Sequence, residues 1–301
     1  MQASADPSWR LVADAKNMLG EGPMWCPQEQ ALWWIDVQTP SLWRLDSASG
    51  RVQSWPLPKP PGSFALTEGG GLLIAFRSRL AALAQPGGEL RWIDLPGLSL
   101  GDERFNDCKV DRRGRFWVGT MDRALTRPIG RLYCIGDRGD IEAIDAGFPL
   151  SNGIGWSPDN RTMYFAETYE GRIYRYDFDL DTGHASNREV FVQLPPGPGG
   201  HPDGLTVDAQ GGVWCALFEG GRVNRYRPNG ELDRSLVTPV SRPTSCIFGG
   251  PDLRTLFITS ARHGLDAEAQ AREPDAGGVF GLDVSEQGIP EPRMHALRPS
   301  A

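Results

Sequence analysis

Short hydrophobic runs, each a handful of residues long and each ended by a turn, follow one another along the whole chain. Ala31-Leu-Trp-Trp-Ile-Asp36 is followed by Ser41-Leu-Trp-Arg-Leu-Asp46. The pair returns as residues 69–76 with 80–83, 114–120 with 130–135, 161–166 with 171–176, 211–216 with 221–226, and 254–259 with 277–282. Aromatic and β-branched residues fill these runs, and Gly, Asp-Gly or Asn turns such as Asp111-Arg-Arg-Gly114 and Ser157-Pro-Asp-Asn160 precede them, which marks the runs as strands. Further β-prone segments at 51–55 and 189–193 read as outer strands. A strand unit recurring at a period of roughly 40 to 50 residues predicts the blades of a β-propeller.

Six copies predict an all-β, six-bladed propeller with four antiparallel strands per blade. The whole chain, 1–301, then forms one domain, because a closed ring cannot be divided without exposing strand edges. Trp9-Arg-Leu-Val12 is the candidate N-terminal strand that closes the ring. Two stacked sandwiches would need a central linker, and Pro195-Pro-Gly-Pro-Gly-Gly200 has the composition of one, but the repeat runs straight across it. Residues 265–272 alone carry good helix formers, as an insertion in the last blade.

Composition agrees: 37 Gly, 25 Pro and 10 Trp in 301 residues favour short strands and tight turns. A net charge of -7, without a Lys/Arg run, argues against nucleic acid and anionic lipid as partners. Residues 1–10 lack a signal-peptide core, and no apolar run approaches the roughly 20 residues a membrane span needs. Five scattered cysteines without Cys-x-x-Cys spacing argue against a disulfide framework or structural zinc. The expectation is a cytoplasmic protein with reduced thiols, monomeric or a small homo-oligomer.

The innermost strand of each propeller blade lines the central channel, so polar residues at the entries of different inner strands converge on one opening. Four repeats supply such residues: Glu21 in Gly20-Glu-Gly-Pro23, Arg104 and Asn106 in Arg104-Phe-Asn-Asp107, Asn152 in Leu150-Ser-Asn-Gly153, and Asp203 in His201-Pro-Asp-Gly204. A single Asn-Gly or Asp-Gly is ordinary turn chemistry. Recurrence at corresponding places in a ring makes Glu21, Asn152 and Asp203 an all-oxygen ligand set. Such a set suits Ca²⁺, Mg²⁺ or Mn²⁺, and Zn²⁺ or Fe²⁺ where waters fill open positions. His201 reads as a rim residue, and Glu167 is a further candidate for the channel mouth. The strand Trp and Tyr residues read as blade packing, and Cys108 as an inert buried thiol.

With these motifs in order along nearly the whole chain, the sequence resembles the SMP-30/gluconolactonase/regucalcin family of six-bladed propellers. Leu19-Gly-Glu-Gly-Pro-Met-Trp25, Arg104-Phe-Asn-Asp107, Ser151-Asn-Gly153 and Pro202-Asp-Gly204 carry the resemblance, with the tail segments Cys246–Asp252, Thr259–Gly264 and Ala276–Phe280. It implies that Glu21, Asn152 and Asp203 hold one divalent cation and that Asp203 is the general base. It further implies that Arg104 and Asn106 bind the hydroxyls and carbonyl of a sugar lactone. The chain departs from the family pattern twice. Cys108 stands where Gly is common, and Ala124 stands where a substrate-contacting glutamate is common, leaving Asp122 as the candidate replacement.

A lactone is a cyclic ester, whose hydrolysis needs a polarised carbonyl, an activated water and a stabilised oxyanion. Gly97-Leu-Ser-Leu-Gly101 has Gly-x-Ser-x-Gly spacing but no helical segment follows it as a nucleophile elbow requires, and no Cys/His pair resembles a nucleophile arrangement. The expectation is a metal-dependent lactonase acting on a glucono-, xylono- or arabinono-lactone. A phosphotriesterase-like hydrolase on the same metal face and a non-catalytic metal-binding propeller are the alternatives.

Overall fold

A computed structural model describes residues 8–295 and 297. Strand β1 (Arg10–Ala13) is followed by six antiparallel groups. The first blade is β2 (Gly20–Cys26), β3 (Ala31–Asp36), β4 (Ser41–Asp46) and β5 (Val52–Pro56). The second is β6 (Pro61–Leu66), β7 (Leu72–Phe76), β8 (Leu80–Leu83) and β9 (Leu90–Ile93). The third is β10 (Glu103–Val110), β11 (Phe116–Asp122), β12 (Gly130–Ile135) and β13 (Ile141–Phe148). The fourth is β14 (Ser151–Trp156), β15 (Thr162–Glu167), β16 (Arg172–Asp179) and β17 (His184–Gln193). The fifth is β18 (His201–Val207), β19 (Val213–Phe218), β20 (Arg222–Tyr226) and β21 (Leu232–Val237). The sixth, β22 (Pro243–Gly249), β23 (Thr255–Ser260) and β24 (Val279–Asp283), takes β1 as its outermost strand, with Arg10 opposite Gly281.

The six-bladed, four-stranded propeller read from the repeat is therefore the fold, and the N-terminal strand completes the last blade. The repeated pair in each copy is the second and third strand; the inner strand lies just before it. Helix α1 (Ala267–Arg272) sits between β23 and β24, capped by Asp266, whose side chain accepts from the Ala269 amide. Among the described residues no helix is long and apolar enough to cross a membrane.

Inner strands β2, β6, β10, β14, β18 and β22 touch one another in cyclic order, with β22 returning to β2. Aromatic residues fill the spaces between blades. Trp117, from the third blade, is fully buried and meets Trp156 and Phe178 of the fourth edge-on, with ring centroids 5.8 and 5.7 Å away. Removing such a side chain typically costs about 3–5 kcal/mol.

Every inner strand is irregular near its start. The ladder slips between Glu21 and Met24, Pro61 and Ser63, Phe105 and Cys108, Ser151 and Ile154, Pro202 and Leu205, and Pro243 and Ser245. A β-bulge leaves residues unpaired and turns their side chains away from the regular alternation. Repeated six times around the ring, it aims side chains into one end of the channel. At the opposite end the chain after β24 crosses the opening. Gly288 bridges to Asp208, Arg112 donates to the Pro290 carbonyl, Lys109 pairs with Glu291 at 2.8 Å, and Met294 bridges to Thr67. That far end is strapped shut.

Candidate functional site

The bulged ends of the inner strands surround a cavity of about 400 Å³. Glu21, Asn106, Asp107, Asn152 and Asp203 all lie on its wall, each at or inside the bulge of its strand. Sequence reading placed these residues just before the inner strands. They lie within them, and the bulge is what lets a strand residue face the channel.

The glycines of the recurring motifs serve the neighbouring blade. A Cβ on Gly153 would sit 2.6 Å from the Asp203 carbonyl and the Leu205 amide. One on Gly204 would overlap Ser245 of the sixth blade. Asn-Gly and Asp-Gly recur because each inner strand carries its polar residue where the next blade presses closest.

At the base of the cavity, negative charge is left uncompensated. Glu21 accepts one hydrogen bond, from the Gly22 amide at 3.0 Å. Asp107 accepts from the Cys108 amide at 2.8 Å and from Ser63 Oγ at 3.4 Å. Asp203 is buried, and its Oδ1 has no hydrogen-bond partner among the described residues. Burial, followed by the Asp107 charge, pushes the Glu21 carboxyl up to about 8. Burial, then Glu21 and Asp107, hold the Asp203 carboxyl well above the usual carboxylate range. Burial also raises Asp107.

Asn152 is held in one orientation. Thr168 Oγ1 donates to the Pro202 carbonyl at 2.8 Å, so it accepts from Asn152 Nδ2 at 2.7 Å. That turns Asn152 Oδ1 toward Asn106, whose Nδ2 donates to it at 2.8 Å. Asn106 Oδ1 in turn accepts from Arg104 at 3.0 Å. Thr168 was not singled out from the sequence, since a threonine on a blade loop carries no motif. Two carboxylates and one amide oxygen, from Glu21, Asp203 and Asn152, are the oxygens that could hold a cation here. Among the described residues no three His, Cys, Asp or Glu side chains form a ready metal cage, so such a site would draw on the amide.

Higher up, the wall divides. Met121, Leu125, Leu150 and Tyr169, from the third and fourth blades, are apolar, and Leu125 and Tyr169 are 42% and 49% exposed. Gln38, His201, Glu219 and His263, from the first, fifth and sixth blades, are polar, and Leu19, Val37 and Phe218 lie among them. The model of one family, the SMP-30/gluconolactonase/LRE-like region, matches residues 19–262 of this sequence. The chain belongs to this family. Among its relatives, a 6-deoxy-6-sulfogluconolactonase of Pseudomonas putida is 38% identical, over 94% of this chain and 97% of that protein. A pentonolactonase of Haloferax volcanii is 38% identical, over 93% and 96% respectively. In solved structures, the calcium-binding protein regucalcin of Agrobacterium tumefaciens superposes with a TM-score of 0.88 at 31% identity, covering 97% of this chain and 98% of that one.

Where this member departs from the family pattern, the structure shows what the residues do. Cys108 is buried, with its thiol between Ser63 Oγ and the Phe64 carbonyl, and burial raises its pKa. Asp122, expected to contact substrate, does not line the cavity. Its carboxylate closes the turn after β11, accepting from the amides of Thr126 at 3.1 Å and Arg127 at 3.0 Å and pairing with the Arg127 guanidinium. Hydrogen bonds to Arg127 first, and to Thr126, hold its pKa well below the usual carboxylate range. The segment presents Met121 and Leu125 to the cavity instead. Glu167 is likewise withdrawn, capping the turn at the amides of Leu150, Tyr169 and Glu170, while Thr168 and Tyr169 reach the mouth.

Proposed function

We propose that this protein is a metal-dependent lactonase that opens a sugar-acid lactone to the free aldonic acid. The observation that carries the reading is Asp203. Its Oδ1 is buried and unpartnered beside Glu21 and Asp107, at the base of a cavity large enough for one sugar ring. Unpaired buried carboxylates of this kind call for a proton or a cation.

Glu21, Asp203 and Asn152 fit a divalent cation of the hard class (Ca, Mg or Mn) and also accept Zn or Fe. Bound there, the cation would supply Lewis-acid polarisation of the ester carbonyl and offset the developing oxyanion. Asp203, through its free oxygen, takes the proton of the attacking water as the new C–O bond forms. When the ring C–O bond breaks, that proton goes to the departing ring oxygen, so water is consumed and one hydroxy acid is released. Arg104 and the Asn106–Asn152–Thr168 chain fix the donors and acceptors that position the ring hydroxyls. The apolar wall of Met121, Leu125, Leu150 and Tyr169 covers the carbon face of the sugar. A phosphotriesterase-like pocket would be apolar throughout, which Gln38, His201, Glu219 and His263 on this wall argue against.

The relatives named above as lactonases support the reaction class, and the calcium-binding neighbour supports a divalent ion. The test is to strip the protein with chelator and follow acid release from glucono-, xylono- and arabinono-lactone as individual metals are restored. Metal-stimulated turnover of at least one is expected. Its absence on all of them would overturn the reading, and a pure metal binder would give that result.

A further inference from the structure

The turn after β11 holds a leucine in a backbone conformation that leucine avoids. Leu125 has φ +56°, and its amide donates to the Asp122 carbonyl at 3.1 Å. Left-handed backbone is unfavourable for a bulky residue and persists only where the surroundings impose it. Leu253, in the turn between β22 and β23, is a comparison within the same chain. It has the same φ of +56° and the same amide contact at 3.1 Å, to the Gly250 carbonyl. Its side chain packs against the core shared by the sixth and first blades, and that burial offsets the strain. Leu125 instead stands 42% exposed on the cavity wall.

A clamp keeps it there. Asp122 is fully buried, accepts from the amides of Thr126 and Arg127 and from Thr126 Oγ1 at 3.0 Å, and pairs with the Arg127 guanidinium at 3.1 Å. Arg127 also reaches Asp102 at 2.8 Å, and Arg123 donates back to the Glu103 carbonyl at 2.9 Å. The polar side chains of residues 122–127 are thus spent on one another and on the third blade, and Leu125 is what that turn gives to the cavity. Met121 and Leu150, joined by a backbone bridge between the third and fourth blades, extend the same apolar surface. Arg104, opposite Met121 in the β10–β11 ladder, keeps its Nη1 on the Phe105 carbonyl at 3.2 Å and on Asn106 Oδ1 at 3.0 Å.

A wall that offers no hydrogen bond favours a methyl group over a hydroxyl, because a hydroxyl buried against it loses its water without replacement. With the ester carbonyl at the carboxylate floor, the exocyclic end of the lactone is left for the upper wall. We infer that Leu125 is a specificity-determining residue, which selects lactones whose exocyclic end is a methyl rather than a hydroxymethyl group, the 6-deoxyhexonic class. This rests on the lactonase reading of the same cavity and narrows its substrate. The Asp122–Arg127 clamp is the positioning device: it holds the side chain ready, so that no loop has to be ordered when substrate arrives.

Matched open acids test the selection without turnover. The full chain, with a divalent cation restored, is titrated calorimetrically with galactonate and 6-deoxygalactonate, and with mannonate and 6-deoxymannonate. The deoxy acid of at least one pair is expected to bind about 10-fold more tightly than its hydroxylated counterpart, the scale of one apolar contact in a pocket. Leu125→Asn, a residue type that tolerates positive φ, should erase most of that preference. Leu125→Gly should erase it as well and melt level with or above the unsubstituted chain, since it releases the strain. Equal binding within both pairs, tighter binding of the hydroxylated acids, no binding of any, or a preference that survives in both variants overturns the inference. So does a lower Tm for Leu125→Gly, which would make the leucine a structural residue. Hydrolysis of glucono-lactone reads the other claim separately: turnover without methyl preference removes the selection and keeps the lactonase, and preference among the acids without turnover of any lactone does the opposite.

Discussion

Asp203 near the start of β18 and Asp208 just past its end are the same residue type on the same strand, at opposite ends of the channel. Asp208 is fully buried and fully used. It accepts from the amides of Gln210 and Gly212, from Trp214 Nε1 at 2.8 Å and from Arg225 at 2.8 Å. Asp111 does the same in the third blade, with Trp117 and Arg115. Lys109 finds Glu291 on the strap. At the other end, among the described residues, Asp203 keeps an oxygen without a partner, Glu21 accepts one amide, and Arg104 lacks a carboxylate. Where the chain satisfies its own charges it is building structure, and where it buries them unsatisfied it leaves room for something else.

The largest expected effect separates the two aspartates. Asp203→Asn should lower kcat on the lactone substrate by about 10²- to 10⁴-fold, the usual worth of a general base. Its Tm should stay level or rise, because the substitution removes a buried carboxyl that no side chain among the described residues pairs with. Asp208→Ala should do the reverse, costing about 3 kcal/mol by stranding Arg225 and the Trp214 indole, while kcat/KM of the folded protein is retained. Thermal melts and steady-state kinetics on both variants decide it. Equal loss of stability in the two would remove the distinction.

Smaller effects sharpen it. Tyr169→Ala, on the open rim, should raise KM about 3- to 10-fold at unchanged kcat, since it removes apolar contact made alike with ground and transition states. Glu291→Gln, on the strap, should leave KM and kcat alone and lower stability by about 1–2 kcal/mol as Lys109 loses its partner. A change in KM from the strap substitution would show that the two ends are coupled.

The fold was legible because a blade is a local unit whose hydrophobic pairs and turns repeat in sequence, and the ring follows from their number. The residues on the cavity wall were legible where a polar residue had to sit beside a glycine, and Gly153 and Gly204 show why: the next blade leaves no space for a Cβ. Asp122 and Glu167 misled for a related reason. A carboxylate near a strand end reads alike whether it faces a channel or caps a turn, and only the path of the following loop decides. Thr168 was invisible because its effect passes through Asn152. That Arg104 has no carboxylate partner among the described residues could not be read at all, since it depends on where the neighbouring strands and loops carry their acidic side chains.

The finest test uses protons to compare the satisfied and unsatisfied carboxylates. The Glu21 carboxyl moves from 4.5 in the unfolded chain up to about 8 in the fold, and Asp203 and Asp107 move in the same direction. Between those limits the folded protein holds protons that the unfolded chain has released. Stability of the metal-free protein should therefore fall as pH rises from about 4.5 through 8. Asp233, paired with Arg225, is shifted the other way, below 3.8 by its hydrogen bond to that guanidinium; its contribution is present above the unfolded value and is lost as pH falls through the folded one. In chelator, Tm should thus decline from pH 5 to pH 8. A divalent cation competes with protons for the Glu21 and Asp203 oxygens, so it should raise Tm more at pH 8 than at pH 5. A melting curve flat across that window in chelator, or a metal shift equal at both pH values, would mean that the cavity carboxylates are as well satisfied as those at the far end.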